Sequence, residues 1–212
     1  MNPVIHLVDD DAGLRTALTR LLRAAGYEVC AYASAGDFLL APVNAPGCLL
    51  LDIRMPGPSG LDLQAAIASR EDPLPIVFMT GYGDVPTTVR AMKAGAVDFL
   101  TKPIRREDLL AAVRSALERD QARRSSTEHL HELRRRHSSL TPREREVFSH
   151  VVAGRLNKQI AGALGTCERT VKAHRSRVMR KMGATSVAEL VRASERLRRG
   201  VRAPGIAVQQ HA

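Results

Sequence analysis

"CLLLDIRMPGPSGLDL" occupies residues 48–63. Leu49, Leu50 and Leu51 form an apolar run that suits a buried strand, and the Pro and Gly residues from Pro56 to Gly60 force a loop. Asp52 stands between the two. Asp is a poor strand residue, so its position needs a reason. A turn-initiating Asp is one reading, and a functional carboxylate at the loop mouth is the other. The flanking sequence decides between them.

Outward from this run, the N-terminal half repeats one order five times. "VIHLV" (4–8) is short, apolar and β-branched, and Leu14, Ala17, Leu18, Leu21 and Leu22 then follow at helical spacing up to Gly26. "YEVCAYA" reads as a strand and "AGDFLLA" as a short helix. "GCLLL" precedes a helix in "SGLDLQAAIAS", with Ser59 as its cap. "PIVFMT" precedes a helix in "DVPTTVRAMKAG" that Gly95 closes. "AVDFLTKP" is the fifth strand and "EDLLAAVRSALERD" the fifth helix. Five such units predict a doubly wound, five-stranded parallel sheet covered by helices on both faces.

Sheets of this kind form sites outside the carboxyl ends of their strands. Strand one delivers Asp9 and Asp10 there, strand three Asp52, strand four Thr80 and strand five Lys102. Three carboxylates, a hydroxyl and an amine therefore converge on one edge. Asp11 reads better as a helix cap than as a member of this group.

"LVDDD", "LLLDIRMPGPSG", "MTGYGDVPTTVRAMKAGAVDF" and "TKP" together resemble the receiver domain of two-component response regulators, across about residues 1–120. The wording is most similar to the FixJ type of the NarL/FixJ family. The resemblance implies a CheY-like fold in which Asp52 accepts a phosphoryl group from the phosphohistidine of a partner histidine kinase. Asp9, Asp10 and Asp52 make a hard oxygen site suited to Mg²⁺, to which the family adds the backbone carbonyl of Arg54. Lys102 would meet the phosphoryl oxygens as a point charge, and Thr80 as a hydroxyl donor. Gly81 would keep the approach open. The family also implies a cis Lys102–Pro103 bond, a conformational switch shared by Thr80 and Phe99, and a homodimer on phosphorylation. Its dimer face lies at about 84–101, here with Thr87, Val89, Arg90 and Lys93. Pro58 departs from the family, which often has Met there. Phe99 also reads simply as core.

Two rival functions are weaker. A flavodoxin-like enzyme or nucleotide-binding protein would carry GxGxxG or GxxxxGK[ST] after a strand, and no strand here is followed by either. A DNA-binding protein with a vestigial pocket would not need all five pocket residues.

Charge separates the two halves. Residues 1–120 hold 12 Lys/Arg against 15 Asp/Glu, and residues 121–212 hold 20 against 7. The C-terminal part alone is therefore expected to meet a polyanion. Aromatic residues are only 3% of the chain, which disfavours recognition by stacking. No apolar stretch approaches the ~20 residues of a membrane span and no signal-like segment opens the sequence, so a cytoplasmic protein without membrane contact is expected. Cys30, Cys48 and Cys167 are widely separated and read as reduced, structural residues.

Residues 121–138 read as a linker. Either Ser125 to Glu128 begins a separate helix through a capping box, or the fifth helix runs on to about Arg136. His129, His131 and His137 read as solvated surface rather than a metal site. Thr141-Pro142-Arg143-Glu144 then starts a helix with a capping box and Pro at its first position. Val147, Val151 and Val152 form its apolar stripe. A short helix from Asn157 closes at Gly165, and a third follows from Thr166 as candidate cap to Gly183. Two helices around a tight Gly turn suit a helix-turn-helix whose second member enters the major groove. Val171, Val178 and Met182 mark its inward side, with Lys172, Arg175, Ser176 and Lys181 assigned to a basic outer face that binds double-stranded DNA. "LTPREREVF" and "TVKAHRSRVMRKM" are similar to the LuxR-type DNA-binding domain, across about residues 139–200. Residues 201–212 have no helical period and read as a disordered tail.

Overall fold

The computed structural model describes residues 2–42, 45–70, 72–81 and 85–201, the side chains of 200 and 201 excepted. Tyr82, Gly83 and Asp84 of the "TGYGDVP" run, and residues 202–212 of the expected tail, lie outside the described residues. The chain divides after Arg124 into two compact units.

In the first unit β1 (Val4–Val8), β2 (Glu28–Tyr32), β3 (Gly47–Asp52), β4 (Ile76–Thr80) and β5 (Asp98–Thr101) form one parallel sheet. The strand order is β2-β1-β3-β4-β5. Between the strands run α1 (Ala12–Ala24), α2 (Ala35–Leu40), α3 (Gly60–Ala68) and α4 (Val85–Lys93), and α5 (Arg106–Ser138) follows β5. Side chains alternate across the sheet. Ile5, Leu7, Leu50, Val77 and Met79 pack on Leu18 and Leu22 of α1 and on Leu109 and Val113 of α5. Val8, Leu49, Leu51, Ile76 and Phe78 pack on Phe38 of α2, Leu63 and Ile67 of α3, and Ala91 of α4. Burial on both faces explains why these strands read as continuous apolar runs. Each fully buried Leu or Phe contributes about 1.5–3 kcal/mol relative to exposure.

Local signals fix where the loops leave the sheet. Asp11 caps α1, its Oδ1 accepting from the amides of Gly13 (2.8 Å) and Leu14 (3.0 Å). Ser59 and Asp62 form a capping box at α3, and the Gly60 amide donates to the Ile53 carbonyl at 3.0 Å. A side chain on Gly60 would overlap the carbonyl oxygen of Asp52. The loop can thus return to the end of β3 only because glycine stands there.

α5 runs without a break through residues 121–138. That stretch has neither Gly nor Pro and carries Glu132 paired with Arg135 and Arg136 on successive turns. In the first unit Asp120 of this helix is buried, accepts from the Gly47 amide at 3.1 Å, and pairs with Arg123 and Arg124. These residues anchor the helix beneath the start of β3.

The second unit adds α6 (Pro142–Val152), α7 (Asn157–Ala163), α8 (Glu168–Met182) and α9 (Val187–Val201). Leu140, Val147, Phe148, Val151, Ile160, Val171, Val178, Met182 and Leu190 form its core. Gly165, at φ +60°, makes the turn between α7 and α8. Three expectations need correction. Cys167 rather than Thr166 occupies the N-cap position of α8, without a side-chain cap bond, because Gly165 and Thr166 are spent on the turn itself. His137 is not solvated surface, since its ring stands edge-on to Phe148 at 5.2 Å and burial lowers its pKa. Phe148, rather than Val152, joins Val147 and Val151 in the buried stripe.

Candidate functional site

At the carboxyl edge of the sheet, β1 ends beside β3 and β4 beside β5, so the residues that leave these strands share one crevice. Asp9 is fully buried just past β1, Asp52 is 5% exposed at the last position of β3, and Thr80 is 2% exposed at the last position of β4. Asp10 is exposed at the rim. One carboxylate oxygen from each of Asp9, Asp10 and Asp52 lies within 4.8 Å of the others. Three hard oxygen donors at that spacing fit a divalent cation such as Mg²⁺.

Lys102 reaches in from the end of β5. Its Nζ donates to Asp9 Oδ2 at 2.8 Å and lies 3.3 Å from Asp52 Oδ2. Burial pushes the Asp52 carboxyl above its ordinary pKa, Lys102 pulls it back, and the charges of Asp9 and Asp10 add to the rise. Burial works against the Lys102 ammonium, but its hydrogen bond to Asp9 and the charges of Asp52 and Asp9 outweigh it, so its pKa rises. The second oxygen of Asp9 is held by the Asp11 amide at 2.9 Å, and its carbonyl by Arg15 at 2.6 Å. Asp9 is therefore held at both carboxylate oxygens and at its carbonyl. The Lys102–Pro103 peptide is cis. Gly81 follows Thr80, and a side chain there would meet open space. Arg54 follows β3 by two residues, with an exposed side chain.

Phe99 is half-buried against the second face's core. It is in register with Phe78, two residues before Thr80 on the neighbouring strand, so Phe99 and Thr80 project from the same face. The chemistry available is that of one buried carboxylate beside an ammonium, a hydroxyl and a cation site.

In the second unit, Val171, Val178 and Met182 of α8 are buried, as their spacing predicts. Lys172 and Ser176 are exposed. Arg175 and Lys181 are not on the outer face. Arg175 is half-buried and its Nη1 donates to Asn157 Oδ1 on α7 at 3.0 Å. Lys181 Nζ pairs with the buried Glu144 at 2.6 Å and donates to the Ser139 carbonyl at 3.0 Å. At about 100° per residue, Arg175 sits only about 40° from the apolar seam, so helical spacing contained this result. The same arithmetic finds the exposed Arg169 and Arg180, which lie opposite the seam with Ser176 and Ala173.

Comparison with known proteins covers both units. Residues 5–114 match the response regulator receiver domain, and residues 138–194 match the bacterial regulatory proteins of the luxR family. The chain is 47% identical to Nodulation protein W of Bradyrhizobium diazoefficiens over 195 residues, covering 92% of this chain and 86% of that protein. It is 42% identical to the transcriptional regulatory protein FixJ of the same organism over 193 residues, covering 91% and 94%. The solved structure of the response regulator StyR superposes with a TM-score of 0.81 at 45% identity, covering 92% of this chain and 99% of that one. Full-length FixJ from B. japonicum gives 0.57 at 41% identity, covering 93% and 98%.

Proposed function

Because the chain belongs to the response regulators that join a receiver domain to a luxR-type DNA-binding domain, and so to the regulators of transcription, we propose that phosphoryl transfer to Asp52 switches its dimerisation and its binding to a specific DNA sequence. The observation that carries this reading is the pairing of Lys102 with both Asp9 and Asp52 in one buried pocket.

Asp52 Oδ attacks the phosphorus of a phosphohistidine on a partner kinase. The P–O bond to Asp52 forms as the P–N bond to the kinase imidazole breaks. Lys102 Nζ, already 3.3 Å from Asp52, is close enough to exchange that carboxylate for a phosphoryl oxygen. Thr80 Oγ1 donates to another, and Gly81 leaves the approach clear. Asp9, Asp10 and Asp52, with the Arg54 carbonyl, would hold Mg²⁺, which when bound offsets the negative charge gathered in the pocket.

Movement of Thr80 toward the new phosphoryl group vacates space on the face it shares with Phe99. The aromatic ring can follow, which biases the surface of α4 and β5. Val85, Val89 and Met92 are 70%, 44% and 43% exposed and recur at i, i+4 and i+7 on α4. Together with Thr87, Arg90 and Lys93 they suit a self-complementary dimer face. Dimerisation would bring two copies of α8 to adjacent half-sites, with Lys172 and Ser176 nearest the bases in the major groove. Arg169 and Arg180, exposed opposite the seam, take the phosphate contacts, in place of the half-buried Arg175 and Lys181.

The described residues contain no helix long and apolar enough to cross a membrane, and the reading places the protein in the cytoplasm. Incubation with acetyl phosphate and Mg²⁺ tests it: a mass gain of one phosphoryl group is expected, and no gain would favour a vestigial pocket.

A further inference from the structure

A recess of about 240 Å³ opens in the second unit between the last turns of α5, the end of α8 and one side of α9. Leu133 is buried at its base. Its wall carries four basic side chains, His129 and Arg136 two turns apart on α5 and Arg192 and Arg196 one turn apart on α9. Two acids lie nearby. Glu189, in the wall, accepts from the Thr185 amide at 2.8 Å and from its hydroxyl at 3.0 Å and keeps its charge beside Arg192, and Glu132 accepts from Arg135 and Arg136, which leaves the cations in excess. Arg136 also donates to the Met182 carbonyl at 3.2 Å, so the electronegative end of α8 is covered.

What remains is a surplus of positive charge. Arg192 meets only the field of Glu189, and neither Arg196 nor His129 makes an ion pair or hydrogen bond among the described residues. Arg192 and Arg196 stand at i and i+4, where like charges repel. Such a cluster around a small recess is stabilised by an anion that several donors can share. The volume is below that of sites for drug-sized ligands, which begin near ~300 Å³, and suits a compact anionic group. Arginine forks favour the tetrahedral oxygens of phosphate.

We propose that this recess binds a phosphate group, held by the guanidinium groups of Arg192 and Arg196 and by the His129 imidazole, with Arg136 fixed behind them. The phosphate comes either from the backbone of DNA or from a free phosphorylated small molecule. The site is separate from Lys172, which lies eleven residues before Gly183, about 16 Å along α8 at 1.5 Å per residue, whereas Arg180 is three residues from it.

The test uses the full chain and three single variants, Arg192→Gln, Arg196→Gln and, as an exposed α9 control outside the recess, Arg199→Gln. Pyrophosphate is titrated calorimetrically, and binding to double-stranded DNA is followed across a KCl series. A free phosphorylated ligand is supported if pyrophosphate binds saturably and Arg192→Gln and Arg196→Gln each weaken it about tenfold, while Arg199→Gln and Lys172→Ala do not. A DNA source is supported if pyrophosphate fails to bind but each recess variant lowers the salt slope by about one and the control does not. If recess and control variants behave alike in both measurements, or if Lys172→Ala removes pyrophosphate binding, the proposal is overturned. Circular dichroism confirms that the variants keep their helices, as expected for exposed positions.

Discussion

Lys181 Nζ lies 2.6 Å from Glu144 Oε2, and that same oxygen accepts the Thr141 amide at 2.9 Å in the capping box of α6. One carboxylate thus closes the start of α6 and receives the end of α8. Glu144 is buried, and the hydrogen bond from Lys181, followed by that from Thr141, lowers its pKa from 4.5 to about 2. A lysine on the helix with the exposed basic face serves packing, and the charge available to DNA is smaller by one.

Acid should loosen this joint. The folded pKa of Glu144 is depressed, so its stabilisation is complete above the unfolded value of 4.5 and is lost as pH falls toward about 2. Urea unfolding read from the NMR signals of α6 and α8 should show stability falling over that window. Lys181→Met should cost about 1–3 kcal/mol at pH 7, because it leaves a buried carboxylate short of a partner, and should flatten the acid dependence. An unaltered pH profile would mean that the pair is not formed in solution.

Gly183 ends α8 at φ +65°, and a side chain there would overlap Arg136 Nη1. Gly183→Ala should destabilise the second unit by about 1–2 kcal/mol from the left-handed backbone alone, and should displace Arg136 from the Met182 carbonyl. Thermal unfolding measures the first effect, and hydrogen exchange at the last turn of α8 the second.

Asp52→Ala should abolish phosphoryl uptake from acetyl phosphate while the far-ultraviolet spectrum stays that of wild type. Asp10→Ala should instead weaken Mg²⁺ binding in a calorimetric titration, since the exposed Asp10 is one of three clustered carboxylates. Uptake of one phosphoryl group by the Asp52 variant would move the acceptor elsewhere, and unchanged Mg²⁺ affinity would remove Asp10 from the cation site.

Phosphorylation should produce a dimer, seen by sedimentation before and after the reaction. Val89 sits at the centre of the exposed α4 stripe. Val89→Glu should weaken the dimer by at least about tenfold, equivalent to about 1.4 kcal/mol, without altering phosphoryl uptake. A phosphorylated monomer that binds DNA more tightly would shift the signal to release of the DNA-binding domain.

On DNA, Lys172→Ala should cost about 1–3 kcal/mol and relax specificity at one position. Arg180→Ala should weaken cognate and scrambled duplexes alike and lower the salt slope by about one. Arg175→Ala should act chiefly on stability, through the lost bond to Asn157. Wild-type affinity in both the Lys172 and the Arg180 variants would mean that α8 is not the reader.

Much of this architecture is legible in the linear sequence. The five apolar runs and their intervening helical periods specify the parallel sheet, and residues at the ends of the first, third, fourth and fifth runs meet in the pocket. Thr141 with Glu144, Ser59 with Asp62, and the glycines that follow α1, α4, α6, α7 and α8 act over three or four residues, so their effect is local and can be read locally. Helical spacing also contains the position of Arg175, close to the seam of α8, although its charge suggests an outer face.

Other features depend on residues that only folding brings together. His6 reads as one more position in an apolar strand, yet its Nδ1 meets the Tyr32 hydroxyl at 3.1 Å and its ring packs edge-on to Phe38. Asp120 reads as the polar end of a helix, yet it is buried under the Gly47 amide, 73 residues away. Lys181 finds Glu144 37 residues back, and His129 finds Arg192 and Arg196 across a recess between two helices. Hydrophobic periodicity fixes which face of each element is buried, because solvent exclusion acts on every apolar side chain alike. Which charge meets which depends on the relative placement of those faces, since an ion pair or hydrogen bond forms only within a few ångströms and at a defined angle.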